Sequence, residues 1–90
     1  MKKNLSVEEF LNSKVEVGIL RVLIQRDMAL PLSRIAKDIQ SNFVTARKHI
    51  KVLEEAGLVI LVPYTSSRIY YKANNSNQRI SAFKSFIEAW

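Results

Sequence analysis

The sequence of 90 residues contains no cysteine, and it has only one histidine, two glycines and two prolines. Without cysteine the chain cannot form a disulfide or a thiolate metal or redox site, and one histidine is too few for the usual metal-ligand sets. The low glycine and proline content, together with 48% apolar residues, is typical of a folded globular chain. We therefore expect a folded protein without a cofactor.

Features of membrane, secreted and catalytic proteins are also absent. No apolar run approaches the roughly 20 residues of a membrane span, and MKKNLSVEEF turns acidic where a signal peptide needs its apolar stretch. No pair of carboxylates, nucleophile beside a base or glycine-rich phosphate loop stands out. The sequence predicts a cytoplasmic protein that has no membrane partner and is not an enzyme.

Positive charge is in excess, with a net charge of +6 and a pI near 9.9, which suggests a polyanionic partner. Most of this excess, a net +4, lies between positions 31 and 72. That segment holds seven cations, Arg34, Lys37, Arg47, Lys48, Lys51, Arg68 and Lys72, and three anions, Asp38, Glu54 and Glu55. The charge is therefore concentrated in the middle of the chain.

Two capping-box sequences, SVEE from Ser6 and SKVE from Ser13, mark helix starts near the N-terminus. In such a box the serine and a glutamate three residues later satisfy each other's orphan amides. We expect a short helix before Asn12 and a longer one over 14–26. The longer helix carries apolar residues on more than one face, so it needs two burial partners.

Two further helices follow with a tight turn between them. ALPLSRIAKDIQ predicts a helix over about 32–40 with Pro31 at its first position, and Asn42 can cap a helix that opens at about 43. This third helix is expected to end at Gly57, which can adopt the left-handed conformation that closes a helix, with Leu58 folding back as a hydrophobic contact.

The third helix is predicted to have a core face and an exposed face. Ala46, Ile50 and Leu53 form one stripe toward the core, and His49 beside them is predicted to be a partly buried structural residue. The opposite side carries Val44, Thr45, Arg47, Lys48 and Lys51.

The C-terminal third predicts a hairpin and a last helix. LVILVP and RIYYKA are rich in branched and aromatic residues and are separated by YTSS, so they predict a two-stranded antiparallel hairpin. Pro63 cannot donate to a ladder and is expected at a strand end. In the last helix, over 76–90, the apolar residues Ile80, Phe83, Ile87 and Trp90 recur every three or four positions.

This order of elements predicts a helix-turn-helix followed by a wing, in a mainly α fold with a small β-hairpin. The segment from ILRVLIQ to IYYKA resembles the winged helix-turn-helix transcription regulators, and ARKHIKVLEEAGLV is especially similar to the ArsR-like branch. The resemblance covers roughly residues 14–73. It implies a recognition helix at 43–56 in the major groove and a wing at 64–68 on the backbone or minor groove.

The sequence also differs from this family at identifiable places. Gln40 stands in the turn where the family usually has glycine, and Ser41 where it usually has an apolar residue. The chain lacks the cysteines of ArsR-like metal sensors, so a thiolate metal sensor is excluded. We expect one domain over 1–90, made of an N-terminal extension or short helix at 1–13, a winged-helix core at 14–73 and a C-terminal dimerisation helix at 76–90.

The predicted DNA-binding residues lie in three groups: Arg34 before the turn, the start of the third helix, and the hairpin tip. The second group is Asn42, Val44, Thr45, Arg47, Lys48 and Lys51, and the third is Thr65, Ser66, Ser67 and Arg68. A 90-residue chain has little interior to hide its apolar residues, so we also predict a homodimer. Its expected interface comprises Val15, Ile19, Val22, Ile80, Phe83, Phe86, Ile87 and Trp90.

Three functions are compatible with this pattern. The leading hypothesis is a homodimeric transcription regulator that binds double-stranded DNA at an inverted-repeat operator. The alternatives are an architectural chromatin protein of low sequence specificity and a winged helix that has lost DNA binding and mediates protein interactions. The clustered cations argue against the last of these.

Overall fold

A computed structural model describes the backbone of residues 7–65 and 68–90, and the side chains of these residues except those of 7, 8, 64 and 65. Within these ranges the chain forms five helices and one antiparallel sheet of three strands. In chain order the elements are α1 (Val7–Asn12), α2 (Lys14–Arg26), β1 (Leu30–Pro31), α3 (Leu32–Asp38), α4 (Phe43–Glu55), β2 (Val59–Thr65), β3 (Arg68–Ala73) and α5 (Gln78–Ala89). The predicted cap at Ser6, the predicted tip residues Ser66 and Ser67 and the side chain of the predicted tip residue Thr65 lie outside what the structure describes.

The second predicted capping box forms only in part. Ser13 Oγ accepts a hydrogen bond from the Glu16 backbone N–H at 3.2 Å, so the serine caps α2 as predicted. The carboxylate of Glu16 does not return to the Ser13 N–H, which donates to the Phe10 carbonyl instead. Glu16 is buried, and its Oε2 lies 2.8 Å from His49 Nδ1 on α4.

This pair explains the role of the single histidine. A buried carboxylate is costly unless it is hydrogen-bonded or paired, and His49 supplies that partner across the interface between α2 and α4. His49 is partly buried, as predicted, and acts as a structural link between the two helices. The other oxygen, Glu16 Oε1, is buried and has no hydrogen-bond partner among the described residues.

The turn between α3 and α4 begins two residues earlier than predicted, because α3 ends at Asp38. The Ser41 N–H donates to the Ala36 carbonyl at 3.0 Å and the Gln40 N–H to the Lys37 carbonyl at 3.1 Å. These bonds form a Schellman motif, which requires a left-handed residue after the helix cap. That residue is Gln40, with a φ of 57°. The position therefore has the backbone conformation that favours glycine.

We expect Gln40→Gly to stabilise the protein, because glycine adopts positive φ without the steric cost that a Cβ imposes. The gain should be roughly 0.5–1 kcal/mol, since glycine also adds entropy to the unfolded chain. Thermal unfolding measures it as a rise of about 2–8 °C. Lys37→Gly, placed inside α3, is the control and should lower the melting temperature. A lower melting temperature for Gln40→Gly would contradict the assigned turn.

The end of α4 and its core stripe agree with the sequence. Gly57 has a φ of 80°, and the Leu58 N–H returns to the Leu53 carbonyl at 2.9 Å, which completes a second Schellman motif. Ala46, Ile50 and Leu53 are almost completely buried. They pack with α2, α3 and the sheet into one hydrophobic cluster. The opposite face of α4 is thereby directed away from the domain.

The sheet differs from the predicted hairpin in two ways. Leu30 and Pro31 form an additional strand that pairs with β3, so the sheet has the order β1-β3-β2. Pro31 consequently precedes α3 as its N-cap and does not occupy its first position. Pro63 lies inside β2, opposite Ile69, and not at its end. Because β2 is an edge strand, the missing N–H of proline is tolerated there.

The terminal helices pack on α2. The ring of Phe10 on α1 meets that of Phe83 on α5 edge to face, with centroids 5.2 Å apart. Phe83, Phe86 and Trp90 then form a row of rings along α5 with centroid separations of 6.2 and 5.9 Å. In the part of the chain that the structure describes, no helix has the length and apolar character needed to cross a bilayer.

Candidate nucleic-acid interface

The start of α4 is a capped and exposed helix end. Asn42 Oδ1 accepts a hydrogen bond from the Thr45 N–H at 2.7 Å, as predicted for its capping role. The cap orients the first turn so that Val44 remains 76% exposed. Thr45 is partly buried beside it. The side-chain oxygen of Asn42 is therefore committed to the backbone, whereas the side chain of Val44 is left largely exposed.

Three cations extend this exposed face along the helix. Arg47, Lys48 and Lys51 are exposed, and none of them forms an ion pair with any side chain that the structure describes. The acidic residues of α4, Glu54 and Glu55, lie in its last turn. The helix thus presents unneutralised positive charge in its first two-thirds and negative charge only at its far end.

Arg34 occupies a different environment from these cations. Its Nε lies 3.3 Å from Asp38 Oδ1, one turn later on α3. Asp38 Oδ2 also accepts a hydrogen bond from Arg26 Nη2 on α2, at 3.1 Å. Two cations therefore share one carboxylate. Arg34 remains half exposed, but part of its charge is compensated within the domain.

The hairpin carries one described cation of the predicted tip group. Arg68 is exposed at the first position of β3, opposite Thr65 at the end of β2. Lys72, further along β3, is only partly exposed. Arg68 is thus the described side chain of the tip group that the hairpin offers to a partner.

An open cleft of about 460 Å³ separates the start of α4 from β3. It is lined by Pro31, Leu32, Ser33, Phe43, Arg68, Ile69 and Tyr70. Except for Arg68, these residues were absent from the predicted site. Phe43 and Ile69 are each about half exposed. The sequence signal that was available for Phe43 is its position as an apolar residue directly after a helix cap.

A second surface lies along α1, α2 and α5. A groove there is lined by Leu11, Val17, Arg21, Gln25, Phe83, Phe86, Ile87 and Trp90. Phe86 and Trp90 are 55% and 93% exposed. Both belong to the predicted dimer interface, as do the partly exposed Phe83 and Ile87.

Burial corrects three of the remaining positions of the predicted interface. Ile19, Val22 and Ile80 are buried inside the domain, and Val15 packs against the same core. Helical spacing groups residues by face, but it does not show whether a face packs within the chain or against another copy. Leu11 and Val17, which the prediction omitted, line the groove instead.

Comparison with known proteins supports the fold. Neither a protein-family model nor a curated protein matches the sequence significantly. The chain is similar to the solution structure of the homodimeric winged helix-turn-helix DNA-binding domain, fragment 1–100, of a possible ArsR-family transcriptional regulator from Mycobacterium bovis. The TM-score is 0.70, with 22% identity, over 92% of this chain and 72% of that chain.

A crystal structure of fragment 1–100 of a possible transcriptional regulatory protein from Mycobacterium bovis is also similar. Its TM-score is 0.58, with 16% identity, and the match covers 97% of this chain and 96% of that chain. At these identities the similarity shows the fold. The chain therefore has a winged helix-turn-helix fold in which α3 and α4 form the helix-turn-helix and β2 and β3 form the wing.

Proposed function

We propose that this winged helix-turn-helix protein is a homodimeric transcription regulator that binds double-stranded DNA sequence-specifically. In this proposal α4 enters the major groove and the tip of the β2-β3 hairpin contacts the backbone or minor groove. The observation that carries it is the unpaired cationic face of α4, Arg47, Lys48 and Lys51, opposite a buried core stripe. The similar Mycobacterium bovis fragment, described as a homodimeric DNA-binding domain, supports it.

The exposed residues of the first two turns of α4 have the chemistry of base recognition. The guanidinium of Arg47 can donate two hydrogen bonds to the O6 and N7 acceptors of guanine. The methyl groups of Val44 and Thr45 can contact the C5-methyl of thymine. Lys51 lies a turn further from the helix start, where a cation is suited to a phosphate. Recognition helices present their N-terminal residues to base edges in this way.

Substitutions of Arg47 and Lys51 should have different effects. Arg47→Ala should cost roughly 1–3 kcal/mol of binding free energy on the best sequence and relax the preference for one base pair. Lys51→Ala should weaken binding to all sequences alike, because a phosphate contact carries no sequence information. Lys84→Ala, which removes a cation from α5, is the control and should change neither the binding free energy nor the sequence preference. Equal, sequence-independent losses for Arg47 and Lys51 would assign Arg47 to a phosphate contact.

Selection of bound sequences from a random duplex pool tests the proposal against its alternatives. A single enriched inverted repeat supports a specific homodimeric regulator. Salt-sensitive binding without enrichment would favour an architectural chromatin protein. The absence of salt-sensitive duplex binding would favour a winged helix that mediates protein interactions. The unpaired cations on α4 argue against the last outcome, and the exposed Val44 and Arg47 in its first two turns favour the first.

The proposed dimer places a second copy of the chain on the groove formed by α1, α2 and α5. A small domain buries a smaller share of its surface than a large one, and here Trp90 and Phe86 remain largely exposed. In a two-fold dimer the same patch meets itself, so the two α4 helices address half-sites about 34 Å apart. This arrangement supports an inverted-repeat operator and, with chromosomal DNA as partner, a cytoplasmic location. No enzymatic activity is included in the proposal.

A further inference from the structure

We propose that the cleft between α3, α4 and β3 holds one sugar–phosphate unit of the DNA backbone, next to the bases that α4 contacts. This inference rests on the DNA binding proposed above. It assigns contacts to Phe43, Ile69 and Ser33, none of which was among the predicted site residues. The cleft thereby becomes part of the binding surface and connects the recognition helix to the wing.

The cleft combines an apolar wall with polar groups at its rim. Pro31, Phe43 and Ile69 form the wall, and half of the Phe43 surface is exposed although the domain has a buried core nearby. Ser33 contributes a hydroxyl and Arg68 a guanidinium. Among the described residues that line the cleft, none is acidic. An occupant with an apolar body and a negative charge therefore fits this lining.

The position of the cleft indicates which part of the DNA would enter it. Successive residues of an α-helix are rotated by about 100°, so Phe43 and Val44 point in different directions. Val44 faces outward from the domain, whereas Phe43 faces the cleft beside β3. With α4 in a major groove and the wing on the neighbouring groove, a strand of the DNA backbone must pass between them. That strand reaches the cleft.

The chemistry of a deoxyribose–phosphate unit matches the two sides of the cleft. The carbon-bound hydrogens of the sugar can pack against Phe43 and Ile69. The phosphate oxygens can accept hydrogen bonds from Arg68 and Ser33, the donor types that bind DNA phosphates. Charge complementarity distinguishes this occupant from an uncharged apolar ligand, because Arg68 and Arg47 lie in the elements on either side and have no described ion pair.

Two exposed isoleucines of the sheet provide a matched test of the apolar wall. Ile69→Ala removes a side chain that lines the cleft, and Ile60→Ala removes one of similar exposure on β2 that does not. We expect Ile69→Ala to weaken duplex binding by about threefold to tenfold, as the loss of partly buried apolar surface implies. Ile60→Ala should change it by less than about twofold. Equal losses of duplex affinity for the two substitutions would overturn the proposed packing of the sugar against the apolar wall.

Neutral methylphosphonate linkages, introduced singly along the duplex, test the charged side. One position in each half-site should weaken wild-type binding by about tenfold or more, as expected for a hydrogen bond to a charged group. At that position Arg68→Ala should bind the neutral and the charged duplex with a much smaller difference than the wild type, because only the Ser33 contact to the phosphate remains. If no position shows this coupling to Arg68, the phosphate contact is wrong. The proposed function fails separately, since it requires salt-sensitive binding of the unmodified duplex.

Discussion

Raising the salt concentration from about 50 to 200 mM is expected to weaken DNA binding by about 10³- to 10⁴-fold. Each Lys or Arg that contacts a phosphate releases condensed counterions, with a log–log slope of about −0.9 per contact. Lys48, Lys51 and Arg68 are exposed and unpaired among the described residues, and Arg47 adjoins them. Three or four contacts per protomer, doubled in a dimer, correspond to roughly six to eight contacts and hence to this loss.

The salt slope can be assigned to particular residues by substitution. Fluorescence anisotropy with a labelled duplex, repeated across the salt range, measures the slope. Arg68→Ala should make it shallower by about 1.8, because one contact is lost from each of two protomers. Lys84→Ala, on α5 and outside the proposed DNA-binding residues, should leave the slope unchanged. Affinity that is independent of salt would disprove the DNA-binding proposal.

Joint substitution of Phe86 and Trp90 by alanine should convert the proposed dimer to monomers and weaken binding to its operator by about 10²-fold or more. Both side chains are largely exposed in the groove along α5, so their removal costs the folded domain little. The operator affinity falls because two linked recognition helices bind with a high effective concentration that separate monomers lack. Sedimentation equilibrium at micromolar concentration measures the oligomeric state, and circular dichroism measures the retained helix content.

The choice of Phe86 over Phe83 follows from their different packing. Phe83 contacts Phe10 edge to face and packs against the core, so its truncation would also destabilise the domain. Met28→Ala is the control, since Met28 is also about half exposed but does not line the groove. A wild type that sediments as a monomer at micromolar concentration would remove both the dimer and the inverted-repeat operator derived from it.

Local sequence signals were sufficient for much of the helical framework. Ser13 and Asn42 cap the helices that they were predicted to cap, and Gly57 ends α4 with a positive φ. These signals are reliable because a cap satisfies backbone groups within three or four residues, so its success depends little on the rest of the fold. The stripe of Ala46, Ile50 and Leu53 was predictable for a similar reason, since helical periodicity determines which residues share a face.

Contacts between distant parts of the chain could not be predicted in this way. The link from Glu16 to His49 joins residues 33 positions apart, and β1 is a strand only because Leu30 and Pro31 meet β3. A two-residue strand has no periodicity of its own, and it is recognised only by its pairing with β3. The cleft that unites Phe43 with Ile69 has the same origin, since its two sides lie on different elements.

The burial of α2 and α5 shows where local information ends. The sequence by itself determined that α2 and α5 carry apolar residues at helical spacing, and that the cations fall on the outer face of α4. Only the tertiary structure decided that Ile19, Val22 and Ile80 lie in the core, whereas Phe86 and Trp90 remain exposed. The physical reason is that spacing determines the direction of a side chain relative to its own helix, while burial depends on which other elements cover that direction.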